Sequence, residues 1–420
     1  MFQRTVLDNQ LRILTANMPH TPSVSMMICV GAGSRYEPKN LAGLSHFLEH
    51  LPFKGTKSWP TAREVSEAIE GVGGLMNAST DREMTIFWCK VARLHYRQAF
   101  SVLLDMLLNP ILDPDEMEKE REVIQEELRM TNDYPTQLVD LLIDDTMWPN
   151  QAMGRDVGGT PDTVNQITVD DVREYMGKQY NPANTVVAVS GNISEEEVLE
   201  LVGNATRDWK PKKALDWEPV INGQNEQVVR VEHRRTDQSH VCLGLPGLSL
   251  SDPDRYSFSL LNGLLGDGMS SRLFQNLRER QGLAYDVSSS INNFRDCGSL
   301  VVYCGVEPKK TREAVQAIVS ELHGMHREVP IQELNKAKEY AKGRLLLRME
   351  DSRSVAAWLG TQELLLGNIE TVDEVVQRIE EITTADVARV GQRVLEEDQM
   401  RLAIVGPHRG DKLLRKLLRF

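Results

Sequence analysis

The chain has 420 residues, 41% of them hydrophobic, and a formal net charge of −13. Such a length buries large cores and makes two domains the natural division. The acidic balance excludes nucleic acid and anionic membrane surfaces as partners held by charge.

Residues 1–8 carry no apolar signal-peptide region and pass directly into strand-like sequence, so no secretory signal is expected. Residues 24–30 read as a strand ended by Gly31 to Gly33. Residues 44–51 then form a Gly- and Pro-free stretch that reads as a helix. At 3.6 residues per turn, His46 and His50 stack on one face with Glu49 beside them. Imidazoles so spaced can hold one Zn²⁺ at about 2.0–2.1 Å, with the carboxylate in reach of a water in an open position. The order is His-x-x-Glu-His, that of the inverted zincins.

Pro52 and Gly55 close this helix, and Thr61 with Glu64 forms a capping box that opens the next. Residues 75–80 and 83–91 read as two strands around Asp81 and Arg82, and 95–108 as a helix stopped by Asn109 and Pro110. The acidic run 116–128 carries Met117, Ile124 and Leu128 as an apolar stripe, so it is an amphipathic, docked helix. Glu120 and Glu127 share its neighbouring face and can point together at a buried site as candidate third ligands. A helix at 137–147 and a buried strand at 185–191 follow, and Ser194 with Glu197 caps a further helix. The periodicity then lapses amid Pro211, Lys212, Lys213, Pro219 and Gly223, marking 211–227 as a linker.

The second half repeats this order. Strands are expected at 228–232, 241–245, 284–291 and 299–306, and helices at 254–265, 270–280, 310–327 and 332–348. Its counterpart of the histidine helix, 256–265, has no histidine, and lysines intrude on its counterpart of the acidic helix. Strands in runs and helices in runs point to an α+β fold of two duplicated halves with mostly antiparallel sheets. The segment Gly266-Asp267-Gly268-Met269-Ser270-Ser271 lacks the Gly-Lys-Ser/Thr ending of a phosphate loop and reads as a tight turn into a helix. Five cysteines without CxxC spacing read as reduced core thiols of a cytoplasmic protein. No apolar run approaches the length needed to cross a bilayer.

Residues 33–37, 43–56 and 74–80 together resemble the opening signature and substrate strand of the M16 peptidases, the pitrilysin and mitochondrial processing peptidase group. The resemblance covers nearly the whole chain and is to the short bacterial members. That family's pattern adds a Glu roughly 76 residues after the second His, and Glu127 fits it (127 − 50 = 77). By this resemblance His46, His50 and Glu127 are ligands of one Zn²⁺ per chain, Glu49 is the general base and Glu120 a supporting acid. Glu126, about 100° round the helix from Glu127, ranks second as ligand. Asn77, Ala78, Ser79 and Thr80 would bind the substrate, and Arg278 and Tyr285, seven apart, match the family's pair on the scissile peptide. The resemblance implies a zinc half at 1–210, a linker at 211–227 and a metal-free half at 228–420.

The implied activity is zinc-dependent endopeptidase action on unfolded or presequence-like peptides in a closing chamber. The implied assembly is a homodimer, or a heterodimer with a homologous subunit. A non-catalytic partner subunit is the rival reading, opposed by the intact ligand set. A structural zinc is the other, opposed by the lack of a nearby cysteine as fourth ligand.

Overall fold

The computed structural model describes residues 2–221, 228–410 and 412–419. The expected linker segment 222–227 lies outside the described residues.

Among the described residues, eleven strands build two sheets. The first contains β1 (Gln3–Val6), β2 (Arg12–Asn17), β3 (Ser23–Val30), β4 (Leu75–Thr80), β5 (Thr85–Ala92) and β6 (Thr185–Gly191), in the order β1-β2-β6-β3-β5-β4. The second contains β7 (Val228–His233), β8 (Ser239–Pro246), β9 (Ala284–Asn293), β10 (Gly298–Val306) and β11 (Arg401–Gly406), in the order β7-β11-β8-β10-β9. Apart from β1, the two orders are one order. β2 runs parallel to β6 as β7 does to β11, and the other neighbours are antiparallel in both. The duplication expected from the sequence is therefore a duplication of topology.

Strand β3 shows why the sheet sequences read as continuous apolar runs. Met26 and Ile28 enter one core, with Phe47, Phe100 and Ile124 from covering helices. Met27 and Cys29 enter a second core on the opposite face, with Ala356 and Leu359. A strand buried on both faces has no polar side to alternate with.

The helix Ser352–Leu366 that supplies this second face comes from the far end of the chain. Reciprocally, Val139 and Ile143 of the helix Pro135–Met147 pack on Cys242, Val301, Ala403 and Val405 of the second sheet. Each compact unit is thus assembled from three separate stretches of the chain. One comprises Met1–Leu128, Asp156–Glu218 and Leu346–Thr371, and the other Arg129–Arg155, Pro219–Leu345 and Val372–Phe420. Two sequential halves parted at a linker do not describe this division, because each sheet is covered by a helix borrowed from the other half of the chain. Arg4 grips the borrowed helix by a two-pronged bond to Glu363, at 2.9 Å for each contact, and Glu363 is 1% exposed. Glycines allow the close approach. A Cβ on Gly360 would lie 2.8 Å from Cys29 Sγ, and one on Gly244 would lie 2.8 Å from Met147 Sδ.

Candidate active site

The helix Leu44–His50 opens at Gly43, whose φ of 97° is left-handed and whose absent side chain offers no cap. The cap comes from Glu37, 1% exposed, which accepts hydrogen bonds from Gly43 N–H at 2.8 Å and Ser45 N–H at 2.5 Å. A carboxylate there satisfies orphan N–H groups and meets the positive end of the helix dipole. Ser45 Oγ lies 2.8 Å from the buried Tyr175 hydroxyl, which fixes the roll of the helix. Sequence reasoning gave neither Glu37 nor Tyr175 a role. A cap from outside the helix, and a contact 130 residues away, leave no local periodic signal.

The helix presents His46 and His50 to the acidic helix Pro114–Asp133. His46 Nε2 and His50 Nε2 are 3.4 Å apart, and each lies 3.8 Å from Glu127 Oε2. A circle through three points so spaced has a radius of about 2.1 Å, within the Zn–N and Zn–O bond range of about 2.0–2.2 Å. Two imidazole nitrogens and one carboxylate oxygen are also the donors zinc takes in open catalytic sites. The residues present fit the ion. They form a metal-competent cluster among the described residues, and Glu126 is outside it.

Burial, helped by neighbouring His50, pushes the His46 imidazole down to about 4, so it stays neutral, as a ligand must be. Burial acts the same way on His50, but hydrogen bonding to Glu120 and the charges of Glu127 and Glu49 outweigh it and raise the net value. Glu120, 5% exposed, places Oε2 3.0 Å from His50 Nδ1. That acceptor holds the proton on Nδ1 and leaves the Nε2 lone pair facing His46 and Glu127. Burial would raise the Glu120 carboxyl, but its bonds to His50 and Lys54 hold it below the ordinary range.

Glu49 is half-buried beside the ligands, and its Oε2 has no hydrogen-bond partner. Burial raises its carboxyl above the usual range, although the Thr80 hydroxyl and backbone N–H donate to it and oppose the shift. A carboxylate tuned upward, with one oxygen uncommitted, suits proton transfer near neutral pH.

Strand β4 ends the first sheet, and among the described residues its only strand partner is β5. The N–H of Ala78 turns away from β5 to its neighbour's Asn77 Oδ1 at 2.8 Å, and that of Thr80 turns to Glu49. Residues two apart on a strand face the same edge, so Ala78 and Thr80 both present N–H groups along the free edge, beside Glu49. Strand β4, which carries Asn77, Ala78, Ser79 and Thr80, therefore runs beside the histidine helix and meets it at Thr80 and Glu49.

Arg278 and Tyr285 lie in the second unit, Arg278 in the π-helix Phe274–Arg280 and Tyr285 at the start of edge strand β9. The structure brings these two together: the Arg278 guanidinium sits 5.5 Å from the Tyr285 ring and 4.8 Å from that of Phe274. The Tyr285 side chain is 75% exposed. The segment 266–271 makes a turn into this helix, with Ser271 N–H bonded to Gly268 O at 3.1 Å.

Residues 12–161 match the family model described as Insulinase (Peptidase family M16), and 166–340 match the one described as Peptidase M16 inactive domain. The second description agrees with a repeat that lacks the histidine pair. A protein of Streptomyces coelicolor named an uncharacterized zinc protease is 37% identical over 412 residues, covering 96% of this chain and 89% of that one. The Bacillus subtilis protein YmxG, also named an uncharacterized zinc protease, is 34% identical over 417 residues, with 97% and 98% covered. In three dimensions the chain is similar to a protease from Helicobacter pylori, with a TM-score of 0.90 at 23% identity over 97% of this chain and 99% of that one. A Pseudomonas fluorescens structure described as a peptidase M16 inactive domain also gives 0.90, at 17% identity over 98% of both chains. These two likenesses establish the α+β fold. With both family models matched in sequence and relatives above 30% identity along nearly their whole length, the chain belongs to the M16 peptidase family.

Proposed function

We propose that the protein is a zinc-dependent endopeptidase that hydrolyses unfolded, extended peptides. The observation that carries this reading is the triangle of His46 Nε2, His50 Nε2 and Glu127 Oε2, with the uncommitted oxygen of Glu49 beside it. His46, His50 and Glu127 would hold the ion. When bound, Zn²⁺ supplies Lewis acidity, lowering the pKa of water to about 7 and polarising a carbonyl.

Glu49 Oε2 takes one proton from the attacking water, whose oxygen bonds to the scissile carbonyl carbon. The C–N bond then breaks, and Glu49 returns that proton to the leaving nitrogen, so one water is consumed and one acid and one amine are released. Thr80 holds Glu49 in place, and Glu120 holds the His50 proton on Nδ1. The free edge of β4 offers backbone groups to an added strand, which aligns a substrate without regard to its sequence. A peptide entering there displaces the Asn77 side chain from Ala78 N–H.

Arg278 and Tyr285 enter this reading through assembly. We place them on the substrate at the metal site of a partner protomer, within a C₂ homodimer whose two sites are each built from both chains.

Incubation with a random peptide library, before and after chelation, tests the activity. Chelatable cleavage of tens-of-residue peptides, with a stable folded domain left intact, is expected. Cleavage that chelation does not touch, or efficient digestion of a hyperstable domain, would refute the reading.

A further inference from the structure

Lys54 ends the short turn Leu51–Lys54 that continues from the histidine helix. Its ammonium contacts Oε1 of Glu120, while the other oxygen, Oε2, takes His50 Nδ1 at 3.0 Å. The Glu120 side chain is 6% exposed and that of Lys54 is 29% exposed, so solvent reaches the outer end of this chain of contacts and hardly reaches the carboxylate. Each carboxylate oxygen thus has one assigned partner, and the two partners hold it from opposite ends. A carboxylate held at one oxygen only is free to swing about its side-chain torsions. Held at both, it offers a fixed acceptor to the imidazole, which is what sets ring orientation at a ligating histidine.

We infer that Lys54 is a positioning residue for the metal centre: by occupying Glu120 Oε1 it fixes Glu120 Oε2 on His50 Nδ1, and so aims His50 Nε2 at the ion. Lys54 touches none of the three proposed ligand atoms and acts through Glu120. This inference rests on the zinc reading above, and it assigns a task to a residue outside the ligand set.

The thermal melt separates this role from packing. Lys54 and the three ligands lie on one short turn and two helices, so a collapsed turn would lower thermal stability as well as metal affinity. A positioning role instead predicts a selective loss at the metal, coupled to Glu120.

The measurement is zinc affinity by chelator competition on the full-length protein, with Co²⁺ absorption as a report of ligand geometry and a thermal melt of the metal-free form as a control. Changes one step behind a ligand typically cost about 10–100-fold in affinity, and Lys54, one step further out, is expected to cost about tenfold as Lys54→Met. Lys54→Arg, which keeps a donor and a charge, should recover most of that loss. In the Glu120→Gln background Lys54→Met should add little, because the group it holds is already altered. Wild-type zinc affinity in Lys54→Met, or an equal further loss on top of Glu120→Gln, overturns the inference. If Lys54→Met fails to fold, Lys54→Gln and Lys54→Arg carry the same comparison, and an Arg variant no better than Gln also overturns it. Failure of the wild-type protein to bind one zinc per chain would instead strike the underlying reading of the site.

Discussion

Glu49, His46, His50 and Glu127 are separable by what each loses. Glu49→Gln removes a proton acceptor and leaves the three ligand atoms in place, so it should retain zinc and lose turnover by at least about 10²-fold, the usual worth of a general base. His46→Ala, His50→Ala and Glu127→Ala should each lose the metal, whereas Glu126→Ala should keep it. Zinc analysis of the purified variants, paired with peptide cleavage, reads both outcomes, and metal loss from Glu126→Ala alone would move the third ligand by one residue. The two histidines also make a pH prediction. A raised folded-state value means that a proton competes for His50 as pH falls through that value, whereas His46, at about 4, does not compete until far lower. Zinc affinity should therefore be full at mildly alkaline pH and weaken already before the pH has fallen to about 6.5, the ordinary histidine value, because the His50 value is raised above it. A flat affinity between about pH 7.5 and 5.5 contradicts that assignment. At this scale the sequence was legible where spacing encodes geometry. The i and i+4 histidines and the two glutamates seven apart announce themselves through helix periodicity. Glu37, Tyr175 and Lys54 do not, because their contacts arise only when separate segments meet.

The strands show the same boundary between local and assembled information. Residues 75–80 and 185–191 read as strands and are strands, since β-rich runs between turn residues are a local pattern. The capping boxes of Thr61 with Glu64 and of Ser194 with Glu197 were equally legible and are both formed. The exchange of helices was not. Nothing within Ser352–Leu366 states that it will lie on β3, whose residues stand more than 300 positions earlier. Its one local hint is Gly360, a helix-interior glycine that earns its place by letting the helix approach Cys29 and Ala188. Gly360→Val should therefore overpack this contact and destabilise the protein by about 1–3 kcal/mol. Denaturant unfolding reads the effect, and an unchanged midpoint would mean that the helix shifts without penalty.

At the scale of the whole molecule, one topology appears twice, and only the first copy carries the histidine pair. The second copy keeps a helix at the corresponding place, Arg255–Leu265, which has no histidine and buries Phe258, Leu261 and Leu265. We propose that the exposed Tyr285 beside Arg278 is this copy's contribution to substrate binding. The proposed shared sites have a quantitative signature. Glu49→Gln and Tyr285→Phe chains, each nearly inactive alone, should regain about a quarter of wild-type activity when unfolded together and refolded, since mixed dimers hold one intact site. No recovery on mixing, or a monomer in light scattering that cleaves at full rate, would show that a single chain builds the whole site.

The central claim is an open zinc centre made by His46, His50 and Glu127, and diffraction at the zinc edge from crystals of the zinc-loaded protein tests it most directly. The account predicts one anomalous peak per chain, bonded at about 2.0–2.2 Å to His46 Nε2, His50 Nε2 and a Glu127 oxygen, with no fourth protein ligand. A peak elsewhere, or one closed by a fourth side chain as in a structural site, would contradict it.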